Sequence, residues 1–310
     1  MKMFRIRWWL CICSLVAWRC APAQDVGEPL APAHSSSPAS SPASPVEEWI
    51  VFASGRSGDG DIYALDPTSG EIKPVVATPA GEGTVRYDLT RDRLVHHRFD
   101  DEGAMLVSGE EDLFVDPNGD VAPSWSPDGR WIVYADNRDG QDDLFLAKSD
   151  GTGERRLTRD AAIDRYPAWS PDSRRIVFAK RLSSGWDLHL LTLDSEEVER
   201  LPESGTYVGH PAWSPDGEAI AFDTLFDDQA EIAVIDLASG IIKRITHRAG
   251  NDLIPAWSSD GRRIAFGGEP TAGNWDLWLV DLDKLELQRL TTHESYDGGP
   301  VFVPASSFVE

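Results

Sequence analysis

One signature returns along this chain at a fixed interval, and no other feature restricts the fold as strongly. PSWSPDGRWIVYAD begins at Pro123, PAWSPDSRRIVFAK at Pro167, PAWSPDGEAIAFDT at Pro211 and PAWSSDGRRIAFGG at Pro255. The tryptophans of these copies, Trp125, Trp169, Trp213 and Trp257, stand 44 residues apart each time. Self-similarity at such a period means one supersecondary unit used many times, with neighbouring copies burying one another's apolar faces.

Each unit reads as four short strands. The first ends at the Trp. Ser-Pro-Asp-Gly then supplies a type I turn, with Pro fixing φ at the second position and Gly tolerating positive φ at the fourth. Ser173 replaces that Gly in one unit and Ser259 replaces the Pro in another. The second strand alternates apolar residues, as in Ile176 and Phe178 or Ile220 and Phe222. The third opens at Asp143, Asp187, Glu231 or Asp276, and the fourth ends in Arg-Leu-Thr or its like, as at Arg156-Leu157-Thr158 and Arg289-Leu290-Thr291. Short strands with turn signals at this spacing indicate propeller blades.

The second strand recurs from Ile50, Leu94, Ile132, Ile176, Ile220 and Ile264, which predicts an all-β, six-bladed β-propeller of four-stranded blades over residues 46–310. The copy at Leu94 is degenerate, with Tyr87-Asp88-Leu89-Thr90-Arg91-Asp92 in place of the Trp and its turn. The copy at Ile50 has no preceding Trp strand, and Gly299-Pro300-Val301-Phe302-Val303 supplies one from the other end of the chain, with Phe302 in the Trp slot. The C-terminal strand is therefore expected to join the first blade and close the ring, leaving no open sheet edge.

Residues ahead of the repeat have a different character. Lys2, Arg5 and Arg7 precede an apolar run from Trp8 to Trp18, and Ala21-Pro22-Ala23 offers a small-x-small exit. That order describes a signal peptide over residues 1–23, too short for a membrane-spanning helix. Residues 24–45 form a Pro/Ala/Ser-rich linker of composition unable to bury a core. Cys11, Cys13 and Cys20 are the three cysteines, all within the leader, so the mature chain is expected to carry neither disulfide nor thiolate metal site. The expected location is periplasmic or secreted. The alternative is a lipoprotein anchored through Cys20, against which Arg19 stands where a small residue is wanted. The formal net charge of −23 disfavours nucleic acid and anionic membrane surfaces as partners.

The Pro-Ala-Trp-Ser-Pro-Asp-Gly repeat, with its following Ile-Ala-Phe and Arg-Leu-Thr elements, resembles the WD40-like repeat of the TolB propeller family over residues 46–304. The resemblance implies a periplasmic propeller of the Tol–Pal envelope system, here without the N-terminal α/β domain of that family. Similar blades occur in prolyl oligopeptidase-type peptidases and in oligogalacturonate lyases. No Gly-x-Ser-x-Gly elbow is present. The histidines His34, His96, His97, His189, His210, His247 and His293 form no HExxH or other recognised zinc pair. His189, in a third strand, reads as a core or surface residue. Asp59-Gly60-Asp61 and Asp139-Gly140-Gln141-Asp142-Asp143 could offer Ca²⁺ oxygens, but Asp and Gly are also the ordinary residues of tight turns. No catalytic residue, metal ligand or cofactor is assigned.

Function is sought where equivalent positions differ, because residues repeated in every blade serve the scaffold. The loops entering the first strands hold Arg165, Tyr166, Tyr207, His210, Asn251, Asp252, Tyr296 and Asp297, a polar and aromatic set suited to an interface. Arg56, Asn137-Arg138, Lys180-Arg181 and Phe226-Asp227 are expected on the same face. The plainer reading makes all of these ordinary solvated loops. The sequence thus predicts a monomeric, non-enzymatic scaffold of the cell envelope that binds a protein or peptide at its channel mouth. The alternative is a carbohydrate-active, oligogalacturonate-lyase-like propeller with a metal in the channel, for which His210 and Arg165 are the candidates. The export reading is checked by intact mass of protein from its native compartment. A mature chain beginning at Gln24 is expected, whereas the mass of a diacylated Cys20 would establish the lipoprotein.

Overall fold

A computed structural model describes residues 47–308 apart from 59, 79–80, 89–91, 101–102, 109–110, 117–122, 139 and 272. The signal peptide 1–23 and the linker 24–45 lie outside the described residues, as do Asp59 and Asp139 of the calcium-candidate hairpins. Every described strand belongs to a four-stranded antiparallel sheet. The first comprises β1 (Glu48–Ser54), β2 (Asp61–Leu65) and β3 (Ile72–Val76). Next come β4 (Gly81–Asp88), β5 (Arg93–Asp100), β6 (Gly103–Ser108) and β7 (Glu111–Asp116), then β8 (Ser124–Trp125), β9 (Trp131–Asp136), β10 (Asp143–Lys148) and β11 (Arg155–Arg156). They are followed by β12 (Ile163–Trp169), β13 (Arg175–Leu182), β14 (Gly185–Thr192) and β15 (Glu197–Arg200), and by β16 (Val208–Trp213), β17 (Ala219–Phe226), β18 (Gln229–Asp236) and β19 (Ile242–Arg244). The last sheet is β20 (Asp252–Trp257), β21 (Arg263–Thr271), β22 (Asn274–Asp281) and β23 (Glu286–Arg289). β24 (Asp297–Pro304) returns to pair with β1, setting Phe302 opposite Ile50. The expected pairing of the C-terminal strand is therefore present.

The core lies between sheets rather than within any one of them. Val177, Leu188 and Leu190 pack against Trp213, Ile220 and Phe222 of the next sheet, and Ile50, Phe52 and Phe302 pack against Ala265, Leu277 and Leu279. Because both faces of each sheet are covered, the second strands are continuous apolar runs and not simple alternations: Ile176, Val177, Phe178 and Ala179 are all buried.

The repeated residues prove to be the fasteners of this stack. The indole Nε1 of Trp169 donates to the carbonyl of Ser124 at 3.0 Å, that of Trp213 to Ala168 at 3.1 Å and that of Trp257 to Ala212 at 3.1 Å, each in the preceding sheet. In the Ser-Pro-Asp-Gly turns, the Ser126 hydroxyl donates to Asp128 at 2.6 Å and accepts from the Trp131 amide at 2.9 Å, and Ser170, Ser214 and Ser258 repeat the arrangement. Ser173, at φ 58°, occupies the glycine position of its turn, and its hydroxyl accepts from the Asp128 amide of the neighbouring turn. The acids opening the third strands pair with the arginines of the fourth: Asp143 with Arg156, Asp187 with Arg200, Glu231 with Arg244 and Asp276 with Arg289. A recurring acid is thus a scaffold device.

The expected count of six blades is corrected to five. Five sheets share the blade construction, a large aromatic opposite a buried isoleucine: Trp125 with Ile132, Trp169 with Ile176, Trp213 with Ile220, Phe302 with Ile50 and the half-buried Trp257 with Ile264. The sheet β4–β7 has four paired strands but is not a further copy. Its corresponding pair, Tyr87 and Leu94, is only half-buried, and the Tyr87 hydroxyl turns to Asp92 and Ser307. Among the described residues, Trp125 of the next sheet finds no acceptor for its Nε1. Strand alternation near Leu94 is enough to build a sheet, but a blade also needs the aromatic slot and the carbonyl that receives the next indole.

This difference is measurable. Trp213→Phe removes a donor and leaves a part-buried carbonyl without it, so it should cost about 1 kcal/mol more than Trp125→Phe, in which no such bond is lost. Urea unfolding of the two variants checks it, and the change in side-chain volume is the same in both.

Candidate functional site

First strands of neighbouring sheets touch one another, so their leading ends gather on one face. A bulge marks four of these ends. The register slips by one residue between Arg165 and Ala168, between Gly209 and Ala212, and between Leu253 and Ala256, and the pairing of β24 with β1 slips opposite Val51 and Ala53. The residue before the conserved-in-register Pro takes positive φ each time: Tyr166 at 55°, His210 at 43°, Ile254 at 58° and Gly299 at 62°. A bulge of this kind bends the strand and re-aims its side chains.

Around Asp223 the re-aimed side chains form a connected cluster. Asp223 is fully buried in β17, and its Oδ1 lies 2.8 Å from His210 Nδ1 and accepts from the Ile254 amide at 3.1 Å. The Tyr166 ring sits on the His210 imidazole, with centroids 4.2 Å apart and planes tilted by 40°. Tyr207 folds back over Gly209: a Cβ there would stand 2.5 Å from the Tyr207 hydroxyl and 2.6 Å from Asp223 Oδ2. Burial, and then the neighbouring Asp223 carboxylate, push the Tyr207 phenol far above its ordinary range. The pair Tyr296 and Gly298 repeats this fold-back in the closing strand. Arg165 extends from the cluster, 42% exposed, with its Nε 2.5 Å from Asp142 Oδ2 of the preceding sheet.

The other candidates are held by separate partners. Asn251 bridges the Ala230 amide and Glu269. Asp252 is buried against Arg248, whose guanidinium also meets the carbonyls of Ala249, Asn251 and Glu269 and lies 4.4 Å from the Trp278 ring. Asp297 is buried and receives the Ser54 hydroxyl at 2.5 Å and Arg56 Nη2 at 2.9 Å. Lys180, expected on this face, is buried between Asp160 at 2.6 Å and Asp164 at 3.2 Å. Arg138 pairs with Asp136 and Glu154, and Arg244 reaches Asp227 while lying over Phe226.

Arg165, Tyr166, Tyr207 and His210 are therefore brought together, while Asn251 with Asp252 and Tyr296 with Asp297 stand in the following sheets. Asp223, the hub, is absent from the sequence-based set. Its register position holds Ala53, Ala135, Ala179 and Gly267 in the other blades, so a lone acid in an apolar column was the available signal. Chemically, the cluster presents a cation, an aromatic face and an imidazole whose Nε2 is directed away from Asp223. His189 lies elsewhere, buried against Phe178. Among the described residues, no three His, Cys, Asp or Glu side chains converge in a way that could hold a metal ion.

The family model described as "TolB beta propeller domain" matches residues 104–209 and 184–309. The crystal structure of TolB from Acinetobacter baumannii superimposes with a TM-score of 0.74 at 16% identity, covering 84% of this chain and 68% of that one. The structure of a putative TolB from Agrobacterium tumefaciens gives 0.65 at 20% identity, covering 82% and 91%. A puromycin hydrolase structure gives 0.54 at 17% identity and covers 76% of this chain but only 42% of its own. No curated protein matches the chain. At these identities the structural likenesses speak for the fold alone.

Two buried acids make the stability of this face depend on pH. Burial pushes Asp252 up to about 7, with Glu231 adding to the rise and Arg248 and Thr246 opposing it. Burial likewise pushes Asp164 up to about 6 against the pull of Thr158 and Lys180, with Asp160 raising it further. An unfolded aspartate titrates near 4. Between about pH 4 and 7 the native state thus holds protons that the unfolded state has released, so these groups stabilise the fold as pH falls through that window. The melting temperature should rise from pH 7.5 to pH 5.5, and the rise should shrink in Asp252→Asn and Asp164→Asn. Arg248 keeps its three carbonyls in the first variant, and Lys180 keeps Asp160 in the second. Thermal melts across that range provide the check.

Proposed function

This chain belongs to the TolB beta-propeller domain family, and we propose that it is an exported, non-enzymatic scaffold that binds a protein or peptide of the cell envelope on the face carrying the bulged strand ends. Arg165, Tyr166 and His210 form the contact centre, joined at the rim by Asn251 and Tyr296. Tyr207, Asp252 and Asp297 position them from beneath, as Asp223 does. The observation that carries this reading is the Asp223 cluster. It is a place where one blade departs from the common pattern, and it ends in a partly exposed Arg and a tilted Tyr–His ring pair. Arg and Tyr are enriched among the residues that dominate binding energy at interfaces. The acidic net charge favours a neutral or basic partner. Among the described residues, no helix is long and apolar enough to cross a membrane, in keeping with a periplasmic or secreted protein tethered, if at all, through its leader.

Immobilised protein and envelope extract provide the test. Arg165→Ala, Tyr166→Ala and His210→Ala should each weaken capture of the retained partner by tenfold or more, the ~1.4 kcal/mol or greater expected of hot-spot residues. The melting temperatures of the Arg165 and Tyr166 variants should stay near that of the parent, whereas His210→Ala, which takes the imidazole from the buried Asp223 carboxylate, should lower it. Tyr207→Ala should weaken capture and also lower the melting temperature, because its half-buried ring packs over Gly209 beside Asp223. Unchanged capture in the Arg165, Tyr166 and His210 variants would move the binding surface off this face. Turnover of an acidic polysaccharide, lost in His210→Ala, would replace the scaffold reading with an enzymatic one.

A further inference from the structure

A cavity of about 480 Å³ opens where the β4–β7 sheet meets the blade completed by β24. Val75 and Val76 of β3, Val303 of β24 and Phe308 of the 3₁₀ turn Ala305–Phe308 form one side, and Leu94 and His96 of β5 face them. The gap lies beside the sheet that lacks the blade construction, where no buried aromatic fills the slot. Among the described residues, the His96 Nδ1 has no hydrogen-bond partner, although His96 is only 3% exposed. A buried ring nitrogen left unpaired costs the desolvation of that group, about 1–3 kcal/mol, unless something enters to satisfy it. At the other side of the cavity, Tyr87, Asp92 and Ser307 hydrogen-bond one another, with the Tyr87 and Ser307 hydroxyls 2.8 Å apart and the Ser307 hydroxyl 2.6 Å from Asp92.

The geometry points to a second binding site here, for a small neutral molecule with an apolar ring-sized body and one hydroxyl that hydrogen-bonds His96. The volume falls within the usual range for small-molecule pockets, which pair apolar walls with a few placed polar groups. Burial and the Arg98 charge hold the His96 imidazole down to about 4, so it is uncharged at neutral pH and offers no attraction to an anion. The Asp92 carboxylate at the rim repels anions and offsets the charge of Arg93, which also lines the cavity. This site is separate from the bulged face and does not depend on the function proposed for it.

Phenol and toluene on the full chain discriminate the parts of the claim, because they share a ring and differ in the hydroxyl. Phenol should bind at millimolar concentration and shift the His96 imidazole signals in NMR titrations. His96→Leu should weaken phenol about tenfold while leaving toluene within about twofold, the difference expected from one hydrogen bond to a buried group. Val76→Phe, which fills the cavity and keeps His96, should abolish binding of both and remains informative if His96→Leu does not fold. Absence of phenol binding, equal phenol affinity in His96→Leu, or unaltered binding in Val76→Phe would each overturn the site.

Discussion

The indole nitrogens of Trp169, Trp213 and Trp257 each donate to a main-chain carbonyl of the preceding blade, at 3.0–3.1 Å. Through that bond the position of one sheet sets the position of the next. The acceptor is the residue immediately before the preceding blade's own Trp, so donor and acceptor columns advance together and one register error would propagate through the stack. The ring around each nitrogen fills the space between sheets, where Ile176, Ile220 and Ile264 stand opposite it. Burial drives the sheets together without direction, and the hydrogen bond supplies the direction. The Ser hydroxyl that receives the second-strand amide and the Asp beyond it hold the turn rigid just past the Trp. The other end of the blade is fixed by the pairing of third-strand acids with fourth-strand arginines. These pairs are buried on the acid side, so their value lies in fixing strand ends as much as in net stability.

Most of this frame was legible in the sequence. Identical 44-residue intervals and a proline-glycine turn at a fixed offset leave few alternatives, and the Phe302 strand could be assigned because one blade lacked its first strand and one strand lacked a blade. Charged residues opening the third strands were correctly set aside as scaffold, since a residue present in many blades serves what the blades have in common. The blade count failed at Tyr87 and Leu94 because alternation is shared by any half-buried strand. What separates a blade from a mere sheet is the aromatic slot and its acceptor, and those depend on packing with both neighbours.

The site was less legible, for a related reason. Loop residues were selected by type and position, which captured Arg165, Tyr166, Tyr207 and His210 but said nothing of how they meet. Their meeting depends on Asp223, two strands away from Tyr166 and in the next blade, and on a bulge that no turn signal announces. Asp252 and Asp297 looked like exposed recognition residues because Asp is common in solvated loops. In the structure each is buried beneath a cation, Asp252 under Arg248 of the preceding turn and Asp297 under Arg56 from the other end of the chain.

Backbone strain on this face is a poor guide to function, although strained residues often cluster at active sites. Positive φ costs roughly 1–3 kcal/mol for a residue with a Cβ, and a β-branched residue such as Ile254 is a pronounced outlier. The residue before a proline is also biased toward extended backbone. Tyr166, His210 and Ile254 nevertheless share this conformation with Gly299. A feature present in four blades cannot define a single binding centre. Its common effect is the bulge, which turns the end of each first strand so that its side chains leave the sheet and meet those of the next. What differs from blade to blade is the side chain so aimed: Tyr over His at one junction, His on Asp223 within the next blade, Ile against the apolar group around Trp275 beyond it. The shared strain builds a face of equivalent presentation points, and the unshared side chains make each point chemically different.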